Sequence, residues 1–136
     1  MTVDAPDFRA FVELLDRRFG LEALLVFGSE AGGVAHAGSD LDLAALFRTH
    51  PDPVALLEAQ ADLERLAGRE VDLVDLDEAS PILAMQVLRT GRAVFGDGSS
   101  RLAAFSAILP GRYEDLKRVR AAAEASLVDR VVRGRS

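Results

Sequence analysis

Residues 26–46 read VFGSEAGGVAHAGSDLDLAAL, and the fold turns on how this stretch is parsed. An apolar run over 24–27 ends at Gly28-Ser29, and ten residues after that serine Ser39-Asp40-Leu41-Asp42 opens a second apolar run. The spacing predicts a strand, a tight glycine turn, a short helix over 30–36 and a second strand over 41–47. Side chains alternate faces along a strand, so Asp40 and Asp42 share one face while Leu41 and Leu43 take the other. Two carboxylates on one face repel each other unless a cation lies between them. A hard, oxygen-seeking ion, Mg²⁺, suits such ligands. The glycine turn leads into a helix start, whose free N–H groups and positive dipole end favour phosphate oxygens. A metal site and a phosphate site are therefore expected side by side.

Gly28-Ser29, ten intervening residues and then Asp40-Leu41-Asp42 resemble the GS-x10-D-x-D signature of the DNA polymerase β-like nucleotidyltransferases. The small size and the VDLVDL stretch at 71–76 further resemble the minimal nucleotidyltransferase (MNT) antitoxins that are paired with HEPN toxins. The resemblance implies an α+β fold: a small mixed β-sheet flanked by helices, with a C-terminal helical tail. It divides the chain into a nucleotidyltransferase core over 1–98 and a helical extension over 99–136, a candidate partner-binding element. It implies Asp40, Asp42 and Asp72 as catalytic metal ligands, the first two bridging two Mg²⁺ ions and Asp72 binding the ion on the nucleophile side. Gly28, Ser29 and Ser39 are the nucleotide-binding residues, and ATP is the substrate.

The activity so implied is transfer of AMP to a hydroxyl, a tyrosine, of a cognate HEPN ribonuclease toxin, which is thereby neutralised. One position departs from the pattern. MNT proteins commonly read GS-x-A-R-G, and here Gly32 stands in place of the arginine, removing a guanidinium suited to triphosphate charge. Two other functions are compatible with the same fold. One is neutralisation of the toxin by binding alone, and the other is nucleotidylation of a small molecule, for whose acceptor domain the chain has little room.

At 136 residues the chain has the size of one domain with a proper core. Hydrophobic residues at 49% and charged ones at 28% fit a folded protein and argue against disorder. With no cysteine, disulfides and thiolate metal sites are excluded and carboxylates become the obvious metal ligands. No apolar run reaches membrane-spanning length and no signal peptide opens the chain, so the expected location is the cytoplasm. The net charge of −6 speaks against direct nucleic-acid binding, which depends on neutralising phosphates. That charge is uneven: residues 1–111 carry 9 basic and 18 acidic side chains, residues 112–136 carry 7 and 4. The basic tail suits an acidic partner. A P-loop needs Gly-Lys-Ser/Thr, but the single lysine is Lys117 in the tail, and no G-x-G-x-x-G follows the first strand.

Elsewhere the pattern is ordinary. Phe8, Phe11, Val12, Leu15 and Phe19 predict a core-facing helix over 5–19, with Asp4 as N-cap, Pro6 in its first turn and Gly20 as stop. A first strand follows over 22–27. Asp52-Pro53 starts a helix to about residue 67 with Val54, Leu57, Ala61, Leu63 and Leu66 apolar, and Gly68 ends it. Residues 71–76 read as a third strand, on which Asp72 and Asp75 face opposite sides. Asp75 is the runner-up for the third carboxylate and is otherwise read as a strand-end residue in water. Ser80-Pro81 begins a helix to about residue 90, and 93–95 close the sheet. The chain is helical again from residue 100, and Pro110-Gly111 is expected to interrupt or kink it before a final helix over 112–132. His36 is read as a solvated surface residue, and His50 as a turn residue with no chemical task.

Overall fold

The computed structural model describes residues 8–28 and 40–134. Asp4, Pro6, Ser29, Gly32, His36, Ser39 and the helix expected over 30–36 lie outside the described residues. The elements run α1 (Phe8–Phe19), β1 (Leu21–Phe27), β2 (Leu41–Phe47), α2 (Pro53–Ala67), β3 (Val71–Asp75), α3 (Pro81–Thr90), β4 (Arg92–Phe95) and α4 (Ser100–Arg133). β1 pairs antiparallel with both β2 and β4, whereas β2 and β3 run parallel, giving one mixed sheet in the order β3-β2-β1-β4. This is the α+β architecture that the resemblance implies.

Both faces of the sheet are covered, which explains why its strands read as nearly continuous apolar runs. Leu24 and Val26 of β1, Leu41, Leu43 and Phe47 of β2 and Val71 and Leu73 of β3 pack against Phe11 and Leu15 of α1 and Ala59 and Leu63 of α2. The alternate residues, Ala23, Leu25, Phe27, Ala44 and Leu46, pack against Ala84 and Val87 of α3 and Leu102, Phe105 and Leu109 of α4. Phe19 and Phe47 meet edge to face with ring centroids 5.2 Å apart.

Local chemistry sets the element ends. The Asp52 carboxylate accepts from the Ala55 N–H at 2.8 Å with Pro53 in the first turn of α2, and Gly68 ends that helix in the left-handed region at φ 68°. Ser80 and Ser99 cap α3 and α4 in the same way through Leu83 and Leu102. The buried face of α2 keeps Leu63 from the expected set but otherwise differs from it. Ala59 and Leu63 are buried and Leu56 packs beside them, while Val54, Leu57 and Leu66 are more than half exposed. The 3.6-residue period admits two apolar stripes on this helix, and the sheet covers only one.

The opposite stripe edge has a different task. β3 is an edge strand, and its outward N–H groups do not meet another strand: the Leu73 N–H donates to Gln60 Oε1 at 2.9 Å and the Val71 N–H to Glu64 Oε2 at 3.2 Å. Gln60 and Glu64 sit one helical turn apart on α2, so the helix closes an edge that would otherwise accept a foreign strand.

α4 corrects the expected interruption at Pro110-Gly111. It runs unbroken through Pro110 and Gly111 for 34 residues. Leu102, Phe105 and Leu109 fix its course up to the proline, and the good helix formers beyond, among them Leu116, Lys117, Ala121 and Ala122, sustain it. The proline removes one backbone bond without ending the helix. From Pro110 onward almost every residue is exposed. None of the described helices is long and apolar enough to cross a membrane.

Gln60→Ala leaves the Leu73 N–H without its side-chain acceptor and is expected to cost about 1 kcal/mol. Urea denaturation should show a lower midpoint at an unchanged m-value; an unaltered midpoint would mean that the edge is closed by something else.

Candidate functional site

The strand directions alone gather the acidic residues. β2 starts where the antiparallel β1 ends, and β3, parallel to β2, starts there too. Asp42 is consequently the register partner of Phe27 on one side and of Asp72 on the other. Asp42 and Asp72 share the parity of Ala44 and Val74, the face covered by α3 and α4. Asp40 precedes β2 and is exposed, as is Asp72, while Asp42 is half-buried. The three aspartates singled out in the sequence thus meet at one end of the sheet, beside Gly28.

Burial, followed by the negative charge of Asp72 and then of Asp40, holds the Asp42 carboxyl above the usual carboxylate range. Gly28 belongs to the same arrangement. Its φ of 71° lies in the left-handed region, and a Cβ there would collide with Asp42 Oδ2. Glycine is needed both for the turn and for the close approach of the carboxylate. Arg69, in the turn between α2 and β3, reaches Asp40 O with its Nη2 at 3.5 Å, bringing a guanidinium to the rim. Ser29 and Ser39, the other two residues expected to bind nucleotide, lie outside the described residues.

Such an arrangement is all oxygen donors, with one carboxyl held high by burial and then by the charge of its neighbours. A hard divalent cation would relieve that repulsion, and Asp40, Asp42 and Asp72 are the residues able to hold it. They do not close on one another as tightly as a second group does. His50, Asp75 and Asp77 offer ligand atoms that all lie within 4.8 Å of each other.

That second group overturns one reading of the sequence, the solvated Asp75, and gives the turn residue His50 two carboxylate neighbours. Asp75 does not stand in water: it is 5% exposed. Its Oδ2 lies 3.3 Å from His50 Nδ1 and its Oδ1 accepts from the Asp77 N–H at 3.2 Å. Burial keeps its carboxyl above the usual range, against the pull of these two contacts. His50 in turn places Nε2 3.6 Å from Asp77 Oδ2, which also pairs with Arg101. The signal was present in the sequence, since a charge on a buried strand demands a partner. What was missing was the parallel pairing, which sets the loop after β2 beside the end of β3. Asp75 does not join the trio, because it points to the other face.

Comparison with known proteins follows the same lines. The family model described as polymerase beta nucleotidyltransferase matches residues 10–99. Over 76 residues the chain is 37% identical to the protein adenylyltransferase MntA of Shewanella oneidensis, covering 56% of this chain and 55% of that protein. The match spans about half the length of that relative. A crystal structure of a toxin–antitoxin with AMP-PNP superimposes with a TM-score of 0.78 at 28% identity, over 90% of this chain and 98% of that one. A structure of the tri-AMPylated Shewanella oneidensis HEPN toxin in complex with MNT antitoxin gives a TM-score of 0.72 at 26% identity, over 88% and 94%.

The raised carboxyl of Asp42 has a thermodynamic consequence. A folded-state pKa above the ordinary 3.8 makes the group's contribution to stability fully present below that value and lost as pH rises through the folded-state pKa. In chelator at neutral pH, Asp42→Asn should therefore melt a few degrees above the wild type, and the gap should shrink as the buffer is acidified. A variant that melts lower at every pH would show that neither the burial of the charge nor the repulsion is felt.

Proposed function

The chain belongs to the polymerase β nucleotidyltransferase family, and from that premise we propose that it is an antitoxin enzyme that moves AMP from ATP onto a tyrosine hydroxyl of a HEPN ribonuclease toxin. The observation that carries this reading is the meeting of Asp40, Asp42 and Asp72 beside Gly28 at one sheet end. The relatives support it: one is named a protein adenylyltransferase, one neighbour holds an ATP analogue, and another contains an AMPylated HEPN toxin with its MNT antitoxin. The expected setting of the reaction is the cytoplasm.

In the transfer, the acceptor oxygen bonds to the α-phosphorus, the bond from that phosphorus to the pyrophosphate oxygen breaks, and the hydroxyl proton leaves. Little covalent chemistry falls to the protein, which positions the reactants and balances charge. Asp40 and Asp42 would hold two Mg²⁺ ions between them, with Asp72 as a further ligand on the acceptor side. Their all-oxygen donor set and the elevated Asp42 carboxyl fit that role. Bound ions supply charge neutralisation at the triphosphate and acidify the attacking hydroxyl. Asp72, exposed beside Asp42, takes the hydroxyl proton. Gly28, with Ser29 and Ser39, offers hydrogen bonds to the phosphates, and the absent side chain at Gly28 leaves room for Asp42.

A second reading, neutralisation by binding alone, is favoured by α4. Beyond Leu109 this helix exposes Val119, Leu127, Val128, Val131 and Val132 among basic residues, a surface suited to docking a partner. In either reading residues 99–136 form the toxin-binding extension of the 1–98 core.

One experiment separates the readings: intact-mass spectrometry of the toxin after incubation with this chain, ATP and Mg²⁺, beside the Asp40→Asn/Asp42→Asn double variant. A toxin mass raised by whole AMP units with the wild type and unchanged with the variant is expected. No gain in mass within a stable complex would leave binding alone, and equal gains with both proteins would remove the aspartates from the chemistry. Truncation after Arg112 should abolish the complex.

A further inference from the structure

We propose that His50, Asp75 and Asp77 form a second metal site, independent of the nucleotidyltransferase reading, which takes a divalent transition ion such as Zn²⁺, Mn²⁺ or Co²⁺ through one imidazole nitrogen and two carboxylate oxygens. The site lies at the far end of the strands that carry the trio. Asp75 follows Asp72 by three residues on β3, roughly 10 Å along a strand, and faces the opposite side of the sheet.

The ligand atoms lie close to the spacing an ion imposes, although the two carboxylates meet different nitrogens of the ring, so one of them draws inward when an ion is held at a single nitrogen. His50 Nδ1 stands 3.3 Å from Asp75 Oδ2, and His50 Nε2 stands 3.6 Å from Asp77 Oδ2; one ligand atom from each of the three residues can be chosen so that all lie within 4.8 Å of one another. An ion bound at about 2.0–2.2 Å sets neighbouring ligand atoms about 2.8–3.6 Å apart. The carboxylates are also braced from behind, as metal ligands usually are. Asp75 Oδ1 accepts from the Asp77 N–H, which turns Oδ2 toward the histidine, and Arg101 of α4 pairs with Asp77.

Charge argues in the same direction. Asp75 has a side chain only 4% exposed, yet its carboxylate meets the Asp77 N–H and a half-exposed imidazole, while Arg101 pairs with Asp77. A buried carboxylate so placed calls for further positive charge. An open cleft lined by Pro51, Pro53, Leu56, Asp75 and Glu78 reaches the site and brings a third carboxylate within its walls. An imidazole ligand favours borderline ions over Mg²⁺, so the two sites differ in preference. A bound ion would join the loop after β2, the end of β3 and, through Arg101, the start of α4.

Titration of untagged, chelator-stripped protein with Co²⁺ alone tests the site, using the Asp40→Asn/Asp42→Asn double variant so that the trio does not compete. One equivalent of Co²⁺ should bind, His50→Gln or Asp77→Asn added to that background should weaken binding on the order of tenfold or more, and the ring NMR signals of His50 should broaden while those of His36 stay sharp. The signal broadening is read on folded protein without any change at His50, so a variant that fails to fold does not spoil the test. No uptake by the double variant, undiminished binding in both added variants, or broadening at His36 in place of His50 would overturn the proposal.

Discussion

Asp42 and Asp72 stand side by side on adjoining strands, and the repulsion between them, with Asp40 close by, is the constraint on which the rest of the structure depends. No chain gains stability by packing three like charges at one sheet end. The arrangement persists because the sheet behind it is held on both faces, by α1 and α2 on one side and by α3 and α4 on the other. A core of Leu24, Val26, Leu43, Phe47 and Leu63, each 2% exposed or less, supplies burial enough to tolerate a locally unfavourable cluster.

Topology does the gathering. One antiparallel and one parallel pairing bring the end of β1 and the starts of β2 and β3 to the same edge of the molecule. The opposite edge receives the end of β3 and the loop after β2, where His50, Asp75 and Asp77 meet. The same sheet therefore carries two polar clusters, one largely exposed around a half-buried Asp42 and repulsive, the other half-buried and tied by hydrogen bonds. α4 touches the second through Arg101 and extends far past the core as an exposed helix, so the surface suited to a partner is rooted in the half-buried cluster.

Much of this was legible in the residues themselves. Asp52-Pro53 and Ser80-Pro81 announced their helices, Gly68 the end of the first, and the 24–27 and 41–47 runs their strands, because caps and apolar runs act locally. The placement of Asp40 and Asp42 on one face needed only the alternation of a strand. What eluded the sequence was set by neighbours distant along the chain. Asp75 looked solvated because nothing local reveals that His50 lies against it. Leu63 of α2 was read on the core side and is buried there, whereas Leu57 and Leu66 looked buried because they are as apolar as Leu56, and only the position of the sheet chooses between them. Pro110 looked like a break or a kink because its local cost is real, and the helix-forming residues on both sides carry the helix through it without a break.

The most direct test of the central claim is the binding of a non-hydrolysable ATP analogue, measured calorimetrically with and without Mg²⁺, to the wild type and to Asp42→Asn. If the three carboxylates are held together to be neutralised by a cation beside the phosphates, Mg²⁺ strengthens binding to the wild type and has no such effect on the variant. Equal dependence on Mg²⁺ in the two proteins would contradict the account, since the ion would then be held elsewhere.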